Sequence, residues 1–553
     1  MTSGSMAVRG MLLSALCLCS MGSVANDTIR TRMGAIDLDF PVSALGKILT
    51  SDKTLSSFYR ERDYTLAWSE AADRRALLDA VAAAQHHGLS PNDYNLAQLT
   101  RVAAGDTRHL DAEAQADIDL LLTDSALLLA SHLRYGKVNP EDLRPEPDAS
   151  HPDRGIDDLL AEALAADNVE QGLKRLAPAT PGYQQLLSAR AAVAALMREP
   201  WERIPEGETI RPGNSDERVP HVRQRLRALG DHPHPDSDAP EAIATRHDPA
   251  LVAAVQRFQA RHGLDDDGLI GRDTLAAINL TPAKRLTQID ANLERWRWLP
   301  EQPGDTYIVV NVAGFELTMI RKGEEVLRTR VIVGRPYRQT PLFSDSIRHL
   351  VFNPSWTVPR SIMIEDQLPV IRQNPDYLSN LGFSLYRGWG PDRIPVDPDT
   401  VDWWALSENY FPFQLIQEPG PSNALGQVKF MFPNEFDVYL HDTPARHLFA
   451  SSQRSFSSGC IRVENSLELA RLLLESQNGW SGNRLNRVLD SRELTKVYLE
   501  NPVPVHLEYW TAWVDDAGTL NLRDDIYERN GPVTAALETS LDYDGRIHQA
   551  SAN

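Results

Sequence analysis

The hydrophobic period of this chain changes at Pro300. Before that point apolar residues recur at helical spacing. The stretch RRALLDAVAAAQHHGLSPNDY predicts a helix that stops at Gly88 and restarts after Pro91, with Ser90 as N-cap and proline at the first helical position. After Pro300, TYIVVNVAGFELTMIRKGEEVLRTRVIVGR carries three short β-branched runs divided by Gly-containing turns, which predicts strands and hairpins. Residues 350–358 (LVFNPSWTV) and 436–440 (FDVYL) read the same way. Helices followed by strands imply an α+β chain, and 553 residues exceed what one ordinary core organises, so several domains are expected.

The helical half divides in two. Residues 40–200 read as an Ala/Leu-rich helical scaffold domain in which His86 and His87 are surface or packing residues. Its most apolar run, IDLLLTDSALLLASHL, carries Asp119, Asp124 and His132 and reads as a core helix rather than a membrane span. A polar, Pro-rich linker leads to a compact unit at 216–282. There VPHVRQRLRALG forms one helix, an acidic loop follows, and Leu251, Val255 and Phe258 share one face of the next helix. GRDTLAAI begins a third. The DDDG stretch lacks the glutamate that closes a calcium loop, so calcium is not expected. Within the β-rich region, 300–514, an insertion at about 363–420 is rich in Trp, Tyr, Pro and Asp. It is too long for a typical loop and reads as a lid or a subdomain. Residues 515–553 form a C-terminal extension.

Residues 1–25 read as an export signal, with Arg9 ahead of the apolar MLLSALCLCSMGSV and a small-residue cleavage site at 23–25. A short uncleaved membrane anchor is the alternative, and the membrane is expected to be met only through this segment. Leucine before Cys17 and before Cys19 argues against a lipid-anchored cysteine. Removing the signal leaves Cys460 as the one thiol of the mature chain, with no internal disulfide to form. The formal net charge of −20 argues against nucleic acid as a partner, because phosphates need a basic face.

The chemistry concentrates in YLHDTP and SFSSGCIRVEN. A thiol with a pKa of about 8.5 is mostly protonated at neutral pH, and His441 is placed to take its proton, giving a thiolate–imidazolium pair. Ser458 and Gly459 keep the backbone slim ahead of Cys460, so their N–H groups, with that of Cys460, can converge on an oxyanion. The helix predicted for ENSLELARLLLE would favour the thiolate if its N-terminus were aimed at it. Zinc held by Cys460, His441 and His447 fits none of the common ligand spacings, so no metal is expected, and no cofactor.

Two resemblances follow from these residues. AVQRFQARHGL, DG-IG and the DTL helix make the 216–282 unit similar to the three-helix peptidoglycan-binding module of bacterial wall enzymes. VGRPYRQTPLFSDSI, LVFNPSWTVPRSI, GPSNALGQVKFMFPN, VYLHDTP and SSGCIRVE make the region from about 306 to 514 resemble an L,D-transpeptidase catalytic domain of the large multidomain periplasmic branch. FYRERDYTLAW, HGLSPNDY and LRYGKVNPEDL resemble the scaffold of that branch.

The resemblance implies a β-rich domain with a capping subdomain, Cys460 as nucleophile and His441 as base. Asp442 would orient the imidazole, through its carbonyl or its carboxylate. Arg462 would brace the site, meet a substrate carboxylate or make a structural ion pair. Asn423, Tyr439, Trp389 and Trp404 are candidate substrate contacts, and Trp403 and Tyr410 are further candidates for a lid surface. Ser458 stands where much of the family has histidine. The implied reaction joins stem tetrapeptides, donor and acceptor, by 3→3 cross-links through a Cys thioester with release of D-Ala, in the periplasm beside other wall-synthesis enzymes. The rivals are a carboxypeptidase or cross-link hydrolase, D-amino-acid exchange, and a silent wall-binding scaffold. Peptidases of the NlpC/P60 type place cysteine before histidine, the reverse of this chain.

Overall fold

A computed structural model describes residues 24–540 apart from 104, 106, 141–154, 167, 233–244, 300–303, 375, 476 and 478. The apolar part of the export segment with Arg9, Cys17 and Cys19, most of the acidic loop, and residues 541–553 lie outside the described residues. The first helical core gathers around α1, Ala112–Tyr135, which is buried along most of its length. Its polar residues are tied to backbone. Asp119 accepts from the N–H groups of Ala67 and Trp68, both at 2.8 Å, and from Tyr59 Oη at 2.6 Å, and burial pushes its carboxyl up. Asp124 accepts from Thr50 N and Ser51 N at 2.9 and 2.7 Å. A charged residue in this apolar run thus fixes a neighbouring loop. No described helix is long and apolar enough to cross a membrane.

Helix Ala71–Ala83 tightens into the 3-10 turn Ala84–His87 and ends at Gly88. The restart is only a 3-10 turn, Pro91–Tyr94, and the Ser90 side chain makes no cap bond. His87 is a packing residue, its Nδ1 2.9 Å from Tyr183 Oη.

The second unit packs helices Val219–Ala228, α2 (Pro249–Arg261) and Arg272–Asn279 around Leu251, Val255 and Phe258, all fully buried. It runs directly into α3, Pro282–Arg297, whose Ile289 and Leu293 enter the first helical core. A later helix joins them there. Val533 and Leu537 of helix Asn530–Glu538 are part of the same core, and the buried Lys137 ammonium donates to the carbonyls of Leu537 and Thr539 and to Asp93.

The β-rich region is a nine-stranded sheet: β1 (Thr306–Asn311), β2 (Glu316–Arg321), β3 (Glu324–Gly334), β4 (Ser344–Phe352), β5 (Val428–Met431), β6 (Leu440–His441), β7 (Ser455–Ser457), β8 (Ile461–Val463) and β9 (Thr495–Glu508). Their spatial order is β7-β3-β8-β6-β5-β4-β9-β1-β2, and β2 also pairs with β3, so the sheet closes on itself. Among the described strands, closure leaves only the three-residue β7 with a single partner, so little open edge remains to invite aggregation. Successive side chains alternate between faces. Val331, Val333, Leu350, Phe352, Val428, Phe430, Leu440, Ile461 and Val463 turn to one face and form its core. The residues between them, including Lys429, His441 and Arg462, turn to the other.

Two predicted strands are shorter than expected. At 350–358 the chain leaves β4 at Asn353, which adopts a left-handed φ of 47° before Pro354, and Trp356–Thr357 joins a different sheet. At 436–440 Asp437 takes φ 54°, so only Leu440 of that stretch pairs. The insertion is built as a subdomain. Its four-stranded sheet orders Trp356–Thr357, Phe413–Gln417, Phe383–Arg387 and Ile394–Val396, over a core of its own that includes Met363, Leu385, Trp403 and Phe413.

Candidate active site

Cys460 sits on a turn between β7 and β8 that is tied down at each residue. Ser457 Oγ donates to the Cys460 carbonyl at 2.5 Å and accepts from Gly459 N at 3.1 Å. Thr340 Oγ1 donates to the Gly459 carbonyl at 2.8 Å, Arg335 N donates to the Ser457 carbonyl, and Arg338 Nη1 donates to Ser458 Oγ at 2.8 Å. Gly459 adopts φ 116°, which L side chains rarely reach, so the residue before the thiol has to be glycine. The Gly459 N–H is committed to Ser457 Oγ. That corrects the expectation that it donates to an oxyanion: the side chain two residues back closes the turn first.

Leu440 of β6 pairs in parallel with Ile461, and His441 with Arg462, while Ile461 N donates to the Tyr439 carbonyl. This register sets Tyr439 beside Cys460 and places His441 diagonally from it on one face. His441 is 4% exposed, and its Nδ1 lies 2.6 Å from the Asp442 carbonyl oxygen. A carbonyl only accepts, so Nδ1 carries the proton and Nε2 keeps its lone pair.

The Asp442 carboxylate is used elsewhere. It accepts from Gln427 N and Arg446 Nη2, both at 2.9 Å, and from Ser466 Oγ at 2.8 Å. Gly426 makes room for this, since a Cβ there would fall 2.3 Å from Asp442 Oδ2. The choice left open by the sequence falls to the carbonyl. Ser466 opens the helix Ser466–Leu474, so that helix start faces the Asp442 carboxylate and not the thiol.

The thiol and the imidazole are both neutral at rest. Burial, and then the Arg462 charge, pull His441 down to about 3. Burial pushes the Cys460 thiol up, against the opposing pull of Tyr439, Arg462 and Lys429, although the residue is partly open to solvent. A preformed thiolate–imidazolium pair, expected from the sequence, does not suit two desolvated groups. The thiol instead leans on the Asp437 carbonyl at 3.9 Å, and no hydrogen bond among the described residues joins it to His441. Catalytic hydrogen bonds are often long before substrate arrives.

Arg462 makes no ion pair among the described residues, and its Nε is buried without a hydrogen-bond partner. Tyr439 packs edge-on to His441 with ring centroids 5.8 Å apart, and Lys429 Nζ lies 5.2 Å over the Tyr439 ring. Asn423 is not a substrate contact. It is fully buried, its Nδ2 donates to the carbonyls of Pro354, Gln417 and Glu418, and its Oδ1 accepts from Leu425 N. Its amide satisfies the turn after the capping subdomain and has nothing left to offer a ligand. Trp389 and Trp404 are exposed on that subdomain, as is Tyr410, whereas Trp403 is part of its core.

The sequence reading missed the residues that hold the Cys460 turn from behind. Arg338 forms ion pairs with Glu365 and Asp366 of the capping subdomain while donating to Ser458. Tyr527 Oη donates to the Gly334 carbonyl at 2.6 Å and accepts from Thr340 N at 3.2 Å. VGRPYRQTP was the signal, a polar loop after a strand, but its partner Tyr527 is nearly two hundred positions away. Tyr527→Phe should lower the unfolding free energy by about 1–3 kcal/mol, the cost of leaving those buried groups unpaired. An unchanged urea midpoint would count against the buttress.

Residues 305–498 match the family model described as an L,D-transpeptidase catalytic domain, 53–189 one described as a scaffold domain, and 215–278 one described as "Putative peptidoglycan binding domain". A curated Haemophilus influenzae protein named "Putative L,D-transpeptidase" is 38% identical over 245 residues, 44% of this chain and 48% of that protein. The chain thus spans about half the length of the curated relative it matches. The solved L,D-transpeptidase of Xylanimonas cellulosilytica is 15% identical, over 56% of this chain and 100% of that one, with a TM-score of 0.18. That of Mycobacterium smegmatis is 13% identical, over 37% and 58%, with a TM-score of 0.18.

Proposed function

We propose, from the match of residues 305–498 to the L,D-transpeptidase catalytic domain family, that this chain cross-links peptidoglycan stem peptides through an acyl-enzyme on Cys460. The observation that carries the reading is the 2.6 Å contact of His441 Nδ1 with the Asp442 carbonyl, which leaves Nε2 as a free base diagonal to the thiol. His441 takes the thiol proton as Sγ attacks the carbonyl between the L-centre of the diamino acid at position three and the terminal D-Ala. The C–N bond breaks, His441 passes the proton to the departing D-Ala amine, and a thioester remains. The side-chain amine of a second stem attacks the thioester, giving a 3→3 cross-link and restoring the thiol. The N–H groups of Cys460 and Ser458 serve the oxyanion, and Gly459, whose N–H is occupied, shapes the turn.

The capping subdomain, with exposed Trp389, Trp404 and Tyr410, is the surface that closes over the site and favours amine over water. The 215–278 module would hold the wall, in keeping with a chain that works outside the cytoplasm. Incubating disaccharide-tetrapeptides with the purified chain should yield 3→3 dimers and free D-Ala by mass spectrometry. Tripeptides without dimers would replace the transferase by a carboxypeptidase.

A further inference from the structure

The face of the sheet that carries His441 also carries a row of cations reaching well beyond the thiol. Strand register places them. Arg462 of β8 is opposite His441 of β6, His441 is opposite Lys429 of β5, Lys429 is opposite Val351 of β4, and Val351 is opposite Lys496 of β9. Residues directly opposite share a face at about 4.5–5.5 Å. The next row holds Tyr439, Met431, His349 and Tyr498, with His349 opposite both Met431 and Tyr498.

No carboxylate among the described residues compensates these cations, and Lys429 meets only the Tyr439 ring, 5.2 Å from its Nζ. Among the described residues no carboxylate lies within ion-pair distance of Arg462, Lys429 or Lys496, and Arg462 Nε is buried without a partner. The charged groups that bear on Lys429 are Lys496 and Cys460, and those that bear on His349 are Lys496 and Lys429. Half-buried Lys429 is thereby held below the usual lysine value by desolvation and then by its like-charged neighbour. The chain has 76 acidic against 56 basic residues, so pairing these cations would have been easy. Like charges on every second strand of one face, with no carboxylate to offset them, oppose folding, and one-sign clusters of this kind attract anions.

We propose that Arg462, Lys429 and Lys496 form a carboxylate-binding track along the sheet. An acidic peptide would lie across β6, β5, β4 and β9 with one free carboxylate between Arg462 and Lys429 and a second at Lys496. This rests on the stem-peptide reading above and deepens it: the track sets the register of the peptide at Cys460, and it selects chains with two spaced carboxylates. Tyr498, 66% exposed, and His349, whose ring centroid lies 5.0 Å from it, give the peptide's apolar parts a surface beyond the lysines.

The test is equilibrium binding to the full chain carrying Cys460→Ala, so that no chemistry intervenes. The probes are a stem tetrapeptide with free carboxylates and the same peptide with its carboxylates amidated. The free peptide should bind the chain at least about tenfold more tightly than the amidated one, and the gap should narrow as salt rises. Adding Lys429→Gln and Lys496→Gln should weaken the free peptide about tenfold and leave the amidated peptide unchanged. Equal affinity for the two peptides, indifference to both lysine substitutions, or no binding of the free peptide would each overturn the track. Failure of the cross-linking reading shows separately, as absence of 3→3 dimers from the unsubstituted chain.

Discussion

Cys460→Ala is expected to abolish covalent adduct formation and to lower turnover on the order of 10⁴-fold or more, while the chain stays folded. The turn that presents the thiol does not depend on it. Ser457 Oγ, Thr340 Oγ1 and the left-handed Gly459 hold that backbone, and Sγ meets the Asp437 carbonyl at 3.9 Å and interacts with Tyr439. Alanine removes the sulfur and little else. Intact mass after exposure to a carbapenem, a β-lactam class expected from the resemblance to acylate this thiol, reads the result directly. The unsubstituted chain gains one adduct and the alanine variant none. An adduct that survives the substitution would move the nucleophile elsewhere, and an unsubstituted chain that never acylates would favour a silent wall-binding scaffold.

His441→Gln should slow acylation by about 10²–10⁴-fold, the usual contribution of a positioned general base. The pH dependence separates this role from a structural one. In the unsubstituted chain His441 titrates at about 3, so the base is already neutral at every higher pH. Acylation should therefore stay nearly level from pH 7 down to pH 5, with its acid limb far below the ordinary imidazole value of about 6.5. The thiol is pushed up by burial, so in the glutamine variant only the small thiolate fraction reacts. Its rate should climb about tenfold per pH unit until the thiol titrates. A variant whose rate is slow but level with pH would mean that His441 positions the site and does not take the proton.

The helices that fill the first core were readable because their apolar residues recur at helical spacing over long runs. Leu251, Val255 and Phe258 are buried on the shared face their spacing predicts. Where one residue decides, the pattern misled. Asn353 and Asp437 take left-handed backbone inside β-like sequence, and two strands break there. Asn423 lies in a motif rich in turn residues, and nothing local distinguishes an asparagine that binds a ligand from one that satisfies three carbonyls. Tyr527 was invisible for another reason: its role is defined by Gly334 and Thr340, on a loop far away in the chain.

By itself the sequence determined the two kinds of secondary structure and the order of His441 before Cys460. These depend on neighbours within one helix, strand or turn. The tertiary structure decided that Asp442 serves His441 with its carbonyl, that Gly459 spends its N–H on Ser457, and that Lys429 and Lys496 share the face of His441 and Arg462. Each of these follows from hydrogen-bond geometry or from register between strands distant in the chain. A slip of one residue in that register would turn the lysines into the core.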